Sequence, residues 1–574
     1  MRALHAGLLG LGLCACLGSA VTFTRESAAA TREPNTGEPH PGHATLSEAD
    51  LRAHLDVLAG PATEGRDSPS LGLELAADYI SECFAAAGLV FAPDSVEAWQ
   101  HVHGDEALPE PPAGMSTPGT DGEGAASGTR VIDPTTYGTY LRPFTRPGLA
   151  PVPDECRLEL LGDDGRVFEY GRDFVPVGGF DGAARGELIF AGFAIDSSKE
   201  KYNDLAGLNL RGKIALVLQG EPDHKRRFSG PEISSEGSLW TKINRLEDAG
   251  AAAVLVARRP RPWIESGAAE DAGDGLAYRY TWARFNGGLH RPEPRKRLPV
   301  LELSTSCATE LCGTDVAELF ASYDKSVKPK RLDLDGREVD IASRTESSSL
   351  SVDNVVGWIK GADPALKNEV VVLGAHYDHL GVDSRGRVGL GADDNASGTA
   401  VLIEVAEALA ANRPRRSVLV CAFASEEDGL FGSKAIAARP PVAPESMVAM
   451  INMDMIGRGN AKEVAVIGVR RNPEFERILK RAKDSSKTGM RKIVMRQGEE
   501  LFQRSDHYSF HQIGVPAIFF FEGLPISRNK DYHTWRDTID GLNFDKIENT
   551  ARLVFNAVWI LANDDERLPA PRNQ

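Results

Sequence analysis

Positive charge is what this chain has least of: 65 Lys and Arg face 82 Asp and Glu across 574 residues, a formal net charge of −17. Binding a nucleic acid takes a basic surface that neutralises phosphates, so that class of partner is excluded. Cysteine is scarce as well, with seven in all. Cys83, Cys156 and Cys421 stand alone, and no pair has the spacing of a structural zinc site. Cys307 and Cys312 are near enough in sequence for a local disulfide in an oxidising compartment. Long apolar runs are also missing. Beyond the N-terminus no stretch reaches the roughly 20 apolar residues of a membrane-spanning helix, so no transmembrane segment is expected.

What is present supports more than one core, because 42% hydrophobic residues are spread over several times the usual domain length. Residues 1–20 read as a signal peptide: Arg2 is the positive start, residues 8–17 are apolar, and Gly18-Ser19-Ala20 offers small residues for cleavage. Export to a periplasmic or secreted location follows. The competing reading is lipoprotein anchoring at Cys16, which Leu13 and Ala15 suit and Cys14 does not. Residues 21–45, rich in Thr, Glu, Pro, Gly and His, read as a flexible spacer.

Residues 46–150 begin a folded unit. Ser47 caps a helix carrying Leu51, Leu55 and Leu58 at helical spacing, and a second helix over 73–87 ends at Gly88. Within this unit residues 104–129 are dominated by Gly, Pro, Glu, Ala and Ser, a composition too polar to order itself. Residues 151–345 alternate short β-rich runs, at 158–160, 187–190 and 213–217, with glycine turns. A helix at 239–248 leads there into a strand at 253–256. In residues 346–565, strand (370–373), helix (396–409) and strand (417–423) alternate, which predicts an α/β architecture with a sheet flanked by helices on both faces. Ligands of such sheets bind beyond the carboxyl ends of the strands.

Five acid- and histidine-bearing segments fall at those ends or in adjoining loops: Gly374-Ala375-His376-Tyr377-Asp378-His379, Gly391-Ala392-Asp393-Asp394-Asn395, Ser425-Glu426-Glu427-Asp428-Gly429, Asn452-Met453-Asp454-Met455-Ile456 and Asp531-Tyr532-His533-Thr534. Imidazoles mixed with carboxylates suit zinc. So many carboxylates brought together repel one another and lose their ionisation unless a cation neutralises them. Asp378 stands two residues beyond His376, so in an extended segment its carboxylate is placed to orient the imidazole, and His379 is expected to be a bystander. Neighbouring residues beside a strand end point in opposite directions, so one of Glu426 and Glu427 is free to bind metal while the other faces a water. Spacing leaves open which glutamate does which.

Taken in order, the five segments resemble the co-catalytic, dinuclear zinc aminopeptidase family, with its His-x-Asp, Asp-Asn followed by Ser-Gly, Glu-Glu, late Asp and Tyr-His-Thr. The resemblance runs over residues 46–89 and 354–562. Residues 151–345 resemble the protease-associated domain inserted at this point in many members. The resemblance implies a zinc-dependent exopeptidase fold with that β-rich insert, and two zinc ions per chain. It implies that His376 and Asp454 complete one zinc site, that Glu427 and His533 complete the other, and that Asp394, directly before Asn395, bridges them. Glu426 is implied as general base and Tyr532 as hydrogen-bond donor to the oxyanion, with Asp506, His507 and Phe510 near a substrate pocket. Glu64-Gly65-Arg66 resembles a turn of the family, although its composition reads equally as a solvated surface loop.

The implied activity is hydrolysis of N-terminal residues from peptides with a free amine. Three alternatives compete. A glutaminyl cyclase uses this fold with one zinc, whereas His376, Asp394 and Asp454 together favour two. A carboxypeptidase or dipeptidase with the same insert carries a helical dimerisation domain after the catalytic region, and this chain ends soon after Leu561. An inactive, receptor-like binding protein has lost metal ligands, and here every expected ligand type is present. Oligomeric state is not indicated.

Overall fold

The computed structural model describes residues 40–92 and 140–571 apart from residues 164, 229–233, 261–297, 335, 384–385 and 486–487. The expected signal peptide, the possible anchor at Cys16, most of the spacer and the polar stretch at 104–129 lie outside the described residues.

Four strands with strict two-residue alternation build the centre of the larger sheet: Val370–His376, Ser417–Phe423, Met447–Met453 and Ala517–Phe521. They run parallel, in the spatial order 417–423, 370–376, 447–453, 517–521. Both faces are covered. Val371, Leu373, Val418, Val420 and Ala422 enter one apolar cluster, while Val370, Val372, Leu419, Cys421 and Phe423 enter another on the opposite side. A strand buried on both faces reads as a continuous apolar run, as these do. The first cluster is closed by the helices Glu48–Leu58, Leu71–Ala86, Gly398–Asn412, Phe475–Asp484 and Phe544–Asn563. The second receives Ile436 from the helix Phe431–Ala438 and Phe510 from the helix His507–Gln512.

Antiparallel strands flank this core, Thr345–Ile359 on one side and Glu463–Ile467 on the other. Thr345–Ile359 also pairs with Leu141–Pro151 along eleven residues, from Val355↔Leu141 to Thr345↔Pro151. That long ribbon leads into a second sheet of eight strands, from Arg157–Leu160 to Glu338–Ser343. The second sheet has its own two-sided core: Ile214, Leu216 and Leu218 point one way, Ala215 and Val217 the other.

Local expectations met two differences. The helix expected from 396 starts at Gly398, because Asp394 (φ −106°, ψ 93°) and Asn395 (φ −131°, ψ 42°) are not helical. Cys307 and Cys312 are buried free thiols within and at the end of the helix Thr305–Cys312, so the local disulfide is not formed. A position five residues on in a helix lies more than a full turn away, on a different side of the cylinder.

Candidate metal centre and active site

The carboxyl ends of the parallel strands put three of the acid- and histidine-bearing segments on one edge of the sheet. His376 is the last residue of its strand, Asp454 immediately follows Met453, and Glu426 and Glu427 come just after Phe423. His376, Glu426 and Asp454 bring one donor atom each within 4.8 Å of one another, and so do His379, Asp394 and Glu427. His533 adds to the second group, its Nε2 lying 3.1 Å from Asp394 Oδ2 and 3.1 Å from Glu427 Oε2.

Asp394 sits between the groups. Its Oδ1 is 3.5 Å from His376 Nε2, while its Oδ2 faces His533. Asp393, the other acid of the pair, is turned away: its Oδ1 accepts from Gly457 N at 2.7 Å and its Oδ2 from Asn529 Nδ2 at 3.1 Å.

The Asp-Asn-x-Ser-Gly stretch has a local reason for its composition. Asn395 Oδ1 accepts from Gly398 N (3.0 Å) and Met455 N (3.2 Å), and its Nδ2 donates to Met453 O (2.9 Å). Ser397 Oγ donates to Asp393 O at 2.7 Å and accepts from Ile456 N at 3.1 Å. These bonds weld the Asp394 turn to the strand end that carries Asp454. Gly398 has no alternative here, since a Cβ would lie 2.3 Å from Asn395 Oδ1 and 2.7 Å from Met453 O.

Asp378 does more than was expected of it. Its carboxylate accepts the backbone N–H of Glu426 at Oδ1 (3.1 Å) and of Glu427 at Oδ2 (3.2 Å), fixing the loop on which both glutamates sit. The carboxylate is 3.5 Å from His376 Nδ1, and the main-chain carbonyl of Asp378 is closer, at 3.2 Å. A Nδ1–H donated to that carbonyl leaves the Nε2 lone pair for a cation.

His379, expected as a bystander, is instead fully buried in the second group, with Nδ1 2.9 Å from Glu427 Oε1. The turn that follows Asp378 folds this imidazole back under the glutamate loop, which spacing alone does not reveal. The solvated-loop reading of Glu64-Gly65-Arg66 is likewise corrected. Arg66 has 0% exposure; its guanidinium donates to the carbonyls of Leu58, Tyr377 (2.7 Å), Leu390 (2.9 Å) and Gly391 (2.9 Å). One N-terminal arginine thus ties the chain just after His376 to the chain just before Asp394.

Asp506, His507 and Phe510, expected near a pocket, are all buried. Phe510 packs on Phe423 with ring centroids 5.9 Å apart. Burial, opposed by the charge of His376, pushes the Asp506 carboxyl up to about 7. Tyr532 is half-buried: its ring stacks on His533 at 3.8 Å, and its hydroxyl accepts from Arg504 Nη2 at 3.1 Å.

The electrostatics of the protein alone favour a cation. Burial, then the charge of Asp454 and Glu427, holds Glu426 well above the ordinary carboxylate range in spite of His376. Asp394 is raised by burial and by Glu427. Burial works against ionisation of Glu427 too, but His533 and His379 outweigh it and hold that carboxyl well below its ordinary value. Two adjacent glutamates are therefore driven in opposite directions, a pattern that separates an acid-base group from a permanent anion. Carboxylates and imidazoles converging from several loops are the donor set of a divalent zinc site.

Among known proteins, residues 354–558 match the model of peptidase family M28. A probable leucine aminopeptidase of Arthroderma otae is 30% identical over 210 residues, covering 36% of this chain and 57% of the relative. A probable leucine aminopeptidase of Arthroderma benhamiae is 29% identical over 271 residues (43% and 74%), and a probable zinc metalloprotease of Pyrenophora teres f. teres 26% over 265 residues (39% and 54%). The chain thus spans little more than half the length of the first and third of these. A solved structure, the aminopeptidase from Aneurinibacillus sp. strain AM-1, aligns over 92% of this chain and 98% of its own at 20% identity and a TM-score of 0.44.

Proposed function

From the match of residues 354–558 to peptidase family M28, we propose that this protein is a zinc metallo-aminopeptidase, exported, that hydrolyses the N-terminal residue from peptides. The observation that carries the reading is the position of Asp394, whose two oxygens face His376 on one side and His533 on the other. A carboxylate so placed suits a pair of ions better than one. His376 and Asp454 would hold the first zinc, Glu427 and His533 the second, and Asp394 both.

Bound zinc supplies a Lewis acid for the peptide carbonyl and makes a water acidic enough to attack near neutral pH. The protein supplies the rest. Glu426, on the loop fixed by Asp378, accepts the proton of the attacking water at its carboxylate and returns it to the leaving amine nitrogen, serving as base and then as acid. Tyr532 donates its hydroxyl hydrogen to the oxyanion that develops on the former carbonyl. The surplus of carboxylates around the cluster receives the substrate's free ammonium group, which favours attack at the N-terminus. His379 holds Glu427 by the hydrogen bond already described, a role the bystander reading left out.

The protease-associated reading of residues 151–345 belongs to the same proposal, with the eight-stranded sheet carried on its ribbon beside the catalytic sheet. Among the described residues no helix is long and apolar enough to cross a membrane.

The test compares aminoacyl substrates with free and with acetylated N-termini, before and after chelation and zinc restoration. Hydrolysis of the free form alone, abolished by the chelator, restored by zinc and lowered at least a thousandfold, roughly, in Glu426→Gln, is expected. Equal rates on both forms, or full activity in Glu426→Gln, would refute the reading.

A further inference from the structure

Several arginines near the site are paired with acids, and Arg66 is spent on four backbone carbonyls. Arg458 contacts Asp531 at 2.8 Å and Asp537 at 3.1 Å, Arg536 contacts Asp531 at 2.8 Å, and Arg471 contacts Glu499 at 3.5 Å. Arg504 is exposed and meets no carboxylate among the described residues; the one hydrogen-bond partner of its guanidinium there is the hydroxyl of Tyr532, at 3.1 Å. That hydroxyl is one stacked ring away from His533, and His533 touches Asp394 and Glu427. A guanidinium with most of its donors unspent therefore stands at the rim of a cluster made otherwise of acids and imidazoles. Guanidinium binds carboxylates in a planar fork, and two parallel hydrogen bonds of that kind are among the stronger polar contacts available.

We propose that Arg504 is a specificity-determining residue that binds a carboxylate on the substrate residue directly after the scissile bond. This rests on the aminopeptidase reading. In that reading the hydroxyl of Tyr532 points at the scissile carbonyl oxygen, and a residue of extended peptide advances by about 3.5 Å. A group hydrogen-bonded to Tyr532 is thus within reach of the residue on one side of the scissile bond. The side before the bond ends in an ammonium group, which the acid cluster attracts and Arg504 repels. The leaving side is where a fixed cation gains. The carboxylate it selects is either the C-terminal carboxylate of a dipeptide or the side chain of Asp or Glu in a longer peptide.

Kinetics on three substrates sharing one N-terminal residue test this: a dipeptide with a free carboxylate, its C-terminal amide, and the amide with Glu in the second position. In the zinc-loaded wild type, kcat/KM for each carboxylate substrate is expected to exceed that for the plain amide by about tenfold. Whichever of the two carboxylate substrates gains more identifies the natural source. In Arg504→Gln the ratio should fall to about one, and in Arg504→Lys to an intermediate value. In Tyr532→Phe the rates should drop while the ratio survives. A wild-type ratio near one, or a ratio in Arg504→Gln equal to that of the wild type, would overturn the assignment and leave the aminopeptidase reading intact. If all three substrates go uncleaved by the zinc-loaded wild type, the functional reading fails and Arg504 loses its role with it.

Discussion

Two backbone N–H groups, those of Asp393 and Asp394, end on the carboxylate of Asp537, at distances of 2.9 to 3.0 Å, and Arg458 closes its open side. Asp537 touches no candidate ligand side chain, yet it sets the turn from which Asp394 projects. Groups of this kind typically alter metal affinity by about 10- to 100-fold. Asp537→Asn, which loses one acceptor oxygen, is expected to weaken zinc binding by that order while the far-ultraviolet circular dichroism stays unchanged; competition against a calibrated chelator measures it. Asp537 was not legible in the sequence, because its partners are 144 and 143 positions away. Arg66 lies in the stretch Glu64-Gly65-Arg66 that resembles a turn of the family, but the carbonyls it satisfies are brought together only by the fold. The segments that hold His376, Asp394, Glu427, Asp454 and His533 stood out because acids and imidazoles cluster in them, while the family resemblance, not spacing, implied which residue of each segment is a ligand.

A pH-dependent contribution can be assigned to His54, which sits between Tyr79 (2.8 Å) and Glu404 (2.9 Å) and joins the first helix to the helix Gly398–Asn412. Burial opposes its charge, but Cys83 and Glu404 outweigh burial and raise its pKa to about 9. The folded value is thus above the ordinary value of about 6.5. Its contribution to stability is complete below pH ~6.5 and is lost as the pH rises through about 9. Glu404 is itself pushed up by burial, against the hydrogen bond and charge of His54. His54→Gln should flatten the fall in thermal midpoint over that window; an unchanged slope would remove His54 from the explanation.

At the scale of elements, the junction at Gly398 concentrates most of the site's architecture. A helix, an irregular turn and a strand end meet where Asn395 and Ser397 bridge to Met453, Met455 and Ile456. Gly398→Ala forces a methyl into the space held by Asn395 Oδ1 and Met453 O, and overpacking of this kind costs about 2 kcal/mol. Urea unfolding should register that loss together with reduced zinc content. Arg146 marks a second junction, where the ribbon to the eight-stranded sheet passes the glutamate loop. Its guanidinium is 3.1 Å from Asp428 Oδ2 and also donates to Ser68 O, with the side chains 1% and 9% exposed. Breaking a buried pair leaves one charge without its partner, so Arg146→Met is expected to destabilise by about 3 kcal/mol in the same assay. Helical spacing and capping marked the helices Glu48–Leu58 and Leu71–Ala86 in advance, and apolar runs the strands Val370–His376 and Ser417–Phe423. The turn at Asp394 was not, because its backbone follows the hydrogen bonds of Asn395 and Ser397 rather than any helical preference.

For the whole molecule, the acid excess read from composition has a local counterpart in the carboxylates gathered at one sheet edge, and cations bound there must stabilise the fold. Ligand linkage gives about 2.7 kcal/mol per ion at a free concentration one hundred times its Kd. Chelation should therefore lower the unfolding free energy, and zinc should restore it in a concentration-dependent way. Sheet order was beyond the sequence, since the neighbours of Val370–His376 are strands that come later in the chain on both sides. The central claim is a paired-ion site bridged by Asp394. The most direct measurement is titration of the metal-free protein with zinc, following bound zinc per chain and hydrolysis of a free-amine substrate together. Two equivalents bound at full activity, reduced in Asp394→Asn, is the outcome the account predicts. Full activity at a single equivalent, or binding that Asp394→Asn leaves unchanged, would contradict it.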